Sequence, residues 1–278
     1  MPALALLRAA FKRPRPYTDT DTAPTTRLST TLTPDPAHLS AYNRVCGFDA
    51  TTDGALPLTY PHVLAFPLAM RLMTARDFPL RLLGLVHTSI EITQHHPLRP
   101  GDELQLAVRT TQLAPHRRGT EATLLTEATS PQGELLWQSH STYLARHKTP
   151  TASQRTPTPT PVPGKNWSLP ADLGRRYAAV SGDRNPIHLH ALTARPFGFP
   201  RAIAHGMWTA ARCLAEQEGT PTHARVEFKA PVLLPSTVTY SSTTQSGTTG
   251  TTTTFELRDA QGRPHLTGAT TAPTAALP

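Results

Sequence analysis

The sequence predicts an α+β protein made of two copies of one unit, each a helix followed by antiparallel strands. Three observations carry this. Tyr42-Asn43-Arg44-Val45-Cys46-Gly47-Phe48 lines up with Tyr177-Ala178-Ala179-Val180-Ser181-Gly182-Asp183 at a constant offset of 135. Further on, His87, Ile90, Glu91 and Ile92 match His223, Val226, Glu227 and Phe228, and Pro100, in an Arg99-Pro100-Gly101-Asp102 turn, matches Pro235. Between the copies, residues 148–165 (KTPTASQRTPTPTPVPGK) lack apolar periodicity and read as an extended Pro/Thr-rich linker. The expected organisation is 1–147, a linker at 148–165, and 166–278; a chain of 278 residues has room for two ordinary domains.

Taken in order, the N-terminal MPALALLRAAFKRPRP has a short apolar run with no basic residue before it, which is not the pattern of a signal peptide. No stretch approaches eighteen apolar residues, so no membrane span is expected and the cytoplasm follows by default. Residues 20–40, rich in Thr, Pro and Asp, read as a surface crossing with little regular structure. Val63 to Met73 is apolar but contains Pro67; proline is tolerated in the first helical turn, so a helix is expected to begin near Phe66. Leu104, Leu106 and Val108 alternate as in a strand. Two further strands flank the turn Ser130-Pro131-Gln132-Gly133, as Thr251–Arg258 and a strand near Leu266 flank Asp259-Ala260-Gln261-Gly262. The threonine run 247–254 suits an exposed strand. Cys46 and Cys213, without a C-x-x-C pair, read as buried thiols.

Net charge is +8, with only four lysines (Lys12, Lys148, Lys165, Lys229) among 27 basic residues. The basic residues are scattered, not gathered in a stripe with interleaved aromatics. This argues against nucleic acid and for an anionic small ligand or acidic carrier.

The chemistry is concentrated in Tyr177 to Met207. Asp183, Asn185 and His188 lie in a Gly-Asp-x-Asn-Pro-x-His run whose turn formers project polar side chains from a tight loop, so a carboxylate and an imidazole can converge. Seventeen residues after His188 comes Ile203-Ala204-His205-Gly206-Met207, followed by apolar residues at Met207, Ala210, Ala211 and Leu214, one face of a helix. Gly206 then opens that helix, where free N–H groups and the positive end of the macrodipole favour developing negative charge. His205 is expected to fix the turn by hydrogen bonding, not to move protons. His95, His96 and His190 lack ligand spacing such as H-x-x-x-H, and no metal is expected.

Tyr177, Ser181-Gly182-Asp183, Asn185-Pro186, His188, Phe199 and Ile203 to Met207, in this order, resemble the signature of the MaoC-like, R-specific enoyl-thioester hydratases, densely over residues 166–235. The resemblance implies a double hot dog, two antiparallel sheets each wrapped around a central helix. It also implies reversible hydration of trans-2-enoyl thioesters, or dehydration of (3R)-3-hydroxyacyl thioesters, with no metal or redox cofactor. Asp183 and His188 fall on its catalytic pair, Asn185 on the polar residue that orients water or substrate, and Gly206 on the amide that binds the thioester oxygen. Lys229 is a candidate contact for a carrier phosphate. The substrate would be carried on coenzyme A or acyl carrier protein.

One departure is Leu214, where single-domain members often place a serine that supports the aspartate. In the first copy the aspartate position is Phe48 and the Asn-Pro-x-His loop has no counterpart, so that half is expected to be non-catalytic and to build an acyl pocket. With its partner attached, one chain is expected to be the functional unit, with a homodimer possible. Two other functions fit the residues, a hot-dog acyl thioesterase and a non-catalytic acyl-thioester binding partner.

Overall fold

The structure, a computed structural model, describes residues 22–49, 54–149, 163–248 and 250–273. The N-terminal run MPALALLRAAFKRPRP and most of the linker lie outside the described residues.

The first half comprises β1 (Arg27–Leu32), α1 (Pro36–Cys46), α2 (Tyr60–Thr74), β2 (Leu85–Gln94), β3 (Leu104–His116), β4 (Gly119–Thr129) and β5 (Leu135–Arg146). The second comprises β6 (Lys165–Leu169), α3 (Leu173–Ser181), the short α4 (Pro186–Leu189) and α5 (Ala191–Ala194), α6 (Gly206–Ala215), β7 (His223–Phe228), β8 (Ser236–Gly247), β9 (Gly250–Asp259) and β10 (Pro264–Pro273). The duplication is thus visible element by element. Each half has a strand, a helix closed by glycine, a second helix, and four antiparallel strands.

The two half-sheets run on as one ten-stranded sheet in the order β1-β3-β4-β5-β2-β7-β10-β9-β8-β6. They meet at β2 and β7, paired antiparallel from Ser89 opposite Glu227 to Thr93 opposite His223. An open sheet edge is a liability, and here each half covers the other's. Its outer ends are two short strands, β1 of six residues and β6 of five.

Two expectations need correction. The stretch expected to have little regular structure, as far as it is described (22–40), contains a strand and the start of a helix. Arg27–Leu32 pairs with β3 from Arg27 opposite Arg109 to Leu32 opposite Leu104, and places Leu28 and Leu32 against the core. Its threonines suit a pleated strand. Pro36 then opens α1 under an Asp35 side chain that accepts from the Ala37 amide at 2.9 Å. Nor does α2 begin near Phe66. It starts at Tyr60 and carries Pro67 in its interior. Interior proline forfeits the bond to the carbonyl four residues back and costs about 3 kcal/mol. Burial of Tyr60, Val63, Ala65, Leu68, Leu72 and Met73 outweighs it.

Across the halves α1 packs on α3. Tyr42 and Tyr177 stand 6.4 Å apart between ring centroids. His38 Nε2 meets the Val180 carbonyl at 2.8 Å, and the Trp208 indole donates to the Val45 carbonyl at 2.9 Å. Cys46 and Cys213 are buried free thiols in this core, and burial pushes the Cys46 thiol up to about 12.

Candidate active site

Helix α3 ends where Gly182 adopts the left-handed conformation (φ 73°) and its amide closes on the Ala178 carbonyl at 3.1 Å. The chain turns sharply there and delivers Asp183 into a loop. The Asp183 side chain is held locally: Oδ1 accepts from the Asn185 amide at 3.1 Å, while its own amide donates to Ser181 Oγ at 3.2 Å. Asn185 in turn caps α4, its Oδ1 accepting from the Ile187 amide, with Pro186 in the first turn. One turn on, His188 is carried inward and buried.

His188 Nδ1 lies 2.8 Å from the Ile203 carbonyl. A carbonyl only accepts, so Nδ1 carries the hydrogen and Nε2 presents a lone pair. That Nε2 lies 4.0 Å from Asp183 Oδ2. This is too long for a direct hydrogen bond, and it sets two acceptors at a spacing that one water molecule can bridge through both hydrogens. Burial lowers the His188 pKa against the opposing pull of Asp183 and the Ile203 carbonyl, which keeps the ring neutral.

His205 completes the cluster. It precedes α6, stacks on His188 with ring centroids 3.7 Å apart, and its Nε2 donates to the Asp183 carbonyl at 2.9 Å while standing 3.8 Å from Oδ2. Burial and the adjacent His188 lower its pKa to about 3, so it too is neutral. His205 fixes the turn as expected. What orients Asp183, a question left by Leu214, now has an answer: the Asn185 amide, Ser181 and His205 hold it from three sides, while Leu214 is buried in the core.

Gly206 is the first residue of α6, so its amide has no intrahelical acceptor. A Cβ there would come within 3.1–3.4 Å of the Phe228 ring, which marks a close approach that glycine permits. Lys229, next to Phe228, is partly exposed with its ammonium on Glu227, whose carboxyl is thereby held below its usual range. To meet a phosphate it would have to exchange that partner.

Among the described residues, Asp183, His188 and His205 offer ligand atoms within 4.8 Å of one another, the one group with metal-binding proximity. The fit is poor, because the His205 Nε2 hydrogen is committed to the Asp183 carbonyl and so offers no lone pair. His95, His96 and His190 are exposed, His96 pairing with Glu134 at 3.0 Å.

The first half contributes more to this region than its sequence suggested. His62, buried in the first turn of α2, and Tyr143 on β5 both lie within reach of the Asp183 charge. No spacing rule linked them to the Asp-x-Asn-Pro-x-His run.

The MaoC-like domain family model matches residues 146–260, and the FAS1-like dehydratase domain region matches residues 28–135. The chain is 39% identical over 245 residues to 3-hydroxyacyl-thioester dehydratase X of Mycobacterium tuberculosis, covering 84% of this chain and 85% of that protein. The crystal structure of that protein, HtdX, covers 89% of this chain and all of its own, with TM-score 0.73 at 38% identity. Enoyl-CoA hydratase ChsH3 of the same organism is 28% identical over 158 residues, 55% of this chain and 52% of that one. A double hot-dog protein of M. tuberculosis superimposes with TM-score 0.62 over 92% of this chain and 97% of its own, at 11% identity, a likeness of fold alone.

Proposed function

The chain belongs to the MaoC-like dehydratases, and from that premise we propose that it is a hydro-lyase that interconverts trans-2-enoyl and (3R)-3-hydroxyacyl thioesters of coenzyme A or acyl carrier protein. The observation that carries the reading is the pair of acceptors, Asp183 Oδ2 and His188 Nε2, 4.0 Å apart in the region of the α6 N-terminus. In the hydration direction one water lies between them. Its oxygen bonds to C3 as its proton passes to the pair. Electron density moves through C2 to the thioester oxygen, and the enolate collapses as the pair returns a proton to C2. Atoms balance as one water added across the double bond.

The Gly206 amide stabilises the oxygen on which charge develops, a contribution worth about 2.7–4 kcal/mol per donor elsewhere. Asn185, its Oδ1 occupied by the cap, offers Nδ2 to water or substrate. Lys229 is the candidate contact for a carrier phosphate. The steps are a nucleophilic addition and proton transfers with no net change of oxidation state, so neither metal nor redox cofactor is called for, and the cytoplasm is the compartment proposed. The first half, with Phe48 in the aspartate position, carries no chemistry and supplies the acyl pocket. One chain is then the functional unit, whatever further association occurs.

Incubation with trans-2-enoyl thioesters, followed at the enoyl absorbance, tests the reading. Loss of absorbance with a single (3R) product on a chiral column is expected. Release of free thiol would identify a thioesterase, and the absence of either change would identify a binding module.

A further inference from the structure

Within the otherwise apolar inner face of the first half's sheet, one row of side chains is polar. Along β5, Trp137, Ser139, Ser141 and Tyr143 are buried in alternation. Tyr143 pairs across to His87, and Ser139 lies between Ile92 of β2 and Thr126 of β4, itself buried. The His87 ring stacks on Tyr143 at 4.5 Å and on His62 at 6.0 Å. Cores of this kind are ordinarily filled by Val, Ile and Leu, and buried polar atoms are ordinarily paired. Here His62 Nδ1, His87 Nε2 and Ser139 Oγ are each enclosed and have no hydrogen-bond partner among the described residues. Leaving such atoms unpaired costs stability.

This lane is continuous with the candidate active site. Phe228, whose ring closes on Gly206, packs against His87 at 4.9 Å. Burial lowers His62 to about 4 and raises the Tyr143 phenol, and the Asp183 carboxylate is the next influence on both. At its other end the lane stops at Ser139 and Trp137, both fully buried, with the Trp137 indole tied to the Leu58 carbonyl at 2.9 Å. A row of buried polar groups that starts beside the site and ends inside the core suits the end of an acyl chain. It does not suit the carrier arm, which must lead out to solvent.

We propose that this lane is the distal acyl subsite and that it selects thioesters whose acyl chain bears a hydroxyl or keto oxygen beyond C3, held by the ring nitrogens of His62 and His87. The inference rests on the dehydratase reading and adds a substrate class to it. A neutral imidazole donates through one nitrogen and accepts through the other, so the pair serves either oxygen function. A plain alkyl chain would strip the same atoms of water and return nothing, the situation in which a polar site discriminates most.

The test compares kcat/KM for trans-2-octenoyl-CoA with its oxo and hydroxy derivatives at C5 to C8. At least one oxygenated chain should exceed the plain one by about tenfold, and H62L and H87F should each bring that ratio toward one. A wild-type ratio near one for every position, or a preference that survives both substitutions, overturns the inference while leaving the dehydratase reading standing. If no thioester is hydrated at all, it is the dehydratase reading that falls, and this inference with it. Should either variant fail to fold, the wild-type ratios decide alone.

Discussion

The ends of α1 and α3 are the same device used twice. Each helix stops at a left-handed glycine, Gly47 at φ 80° and Gly182 at φ 73°, whose amide closes on the carbonyl four residues back, Asn43 or Ala178. The residue after the glycine leaves the same kind of cap in both halves. In the first half it is Phe48, which stacks on Tyr42 at 6.1 Å; in the second it is Asp183, which faces two histidines. The cap is therefore scaffold, and chemistry is carried by one side chain plus the loop that follows. That loop is the other difference. From Asp183 the chain passes through α4 and α5 before α6 begins at Gly206, whereas α2 begins at Tyr60, a much shorter way from Phe48.

The largest break in this comparison should come from Asp183→Asn and His188→Gln. Each should lower kcat/KM for enoyl hydration by about a hundredfold or more, with the melting temperature little changed, because Asp183 sits in a half-open loop. A loss below tenfold in either would remove that residue from the acid/base pair.

A smaller loss is expected of His205→Gln. Removing the donor to the Asp183 carbonyl misplaces the carboxylate without removing it, so kcat should fall by roughly tenfold while KM moves little. If KM rises alone, His205 contacts substrate instead.

Stability against pH should follow the buried imidazoles. His62 and His205 have folded pKa values lowered to about 4 and about 3 from 6.5, and His188 is lowered too. The unfolded chain therefore binds more protons below pH 6.5. Stability should be full above that value and decline progressively as pH falls toward 3, as read by denaturant midpoints. A midpoint that does not move between pH 7 and pH 5 would contradict the neutral, buried state of these rings.

The smallest expected effect sharpens the contrast most. Phe48→Asp should create no second site, since no histidine loop follows it, and a tight substrate analogue should titrate one site per chain. Two sites in either protein would show that the halves are closer in chemistry than their loops imply.

The duplication was legible because left-handed glycine caps and proline turns are local and leave fixed residues at fixed intervals. The convergence of Asp183 with His188 was legible for the same reason, since Asn185-Pro186 forces the short α4. Other features depend on distant partners and leave no local trace. β1 is a strand because β3 lies beside it, and α2 runs through Pro67 because the sheet beneath rewards the packing. His62 lies near Asp183 only because α2 crosses from the other half. The double acceptor at His188 needs the Ile203 carbonyl, whose position no spacing rule supplies.

The seam at β2 and β7 has a consequence for how strongly the halves must bind. Residues 147–164 join the end of β5 to the start of β6, and a tether of that length holds its two ends at an effective local concentration of about millimolar. The halves therefore need only a modest intrinsic affinity to stay paired, far less than two separate chains at cellular dilution would require. That relaxes selection on the seam itself. A split protein, cut within 150–162, should reveal this as activity that depends on concentration where the intact chain's does not.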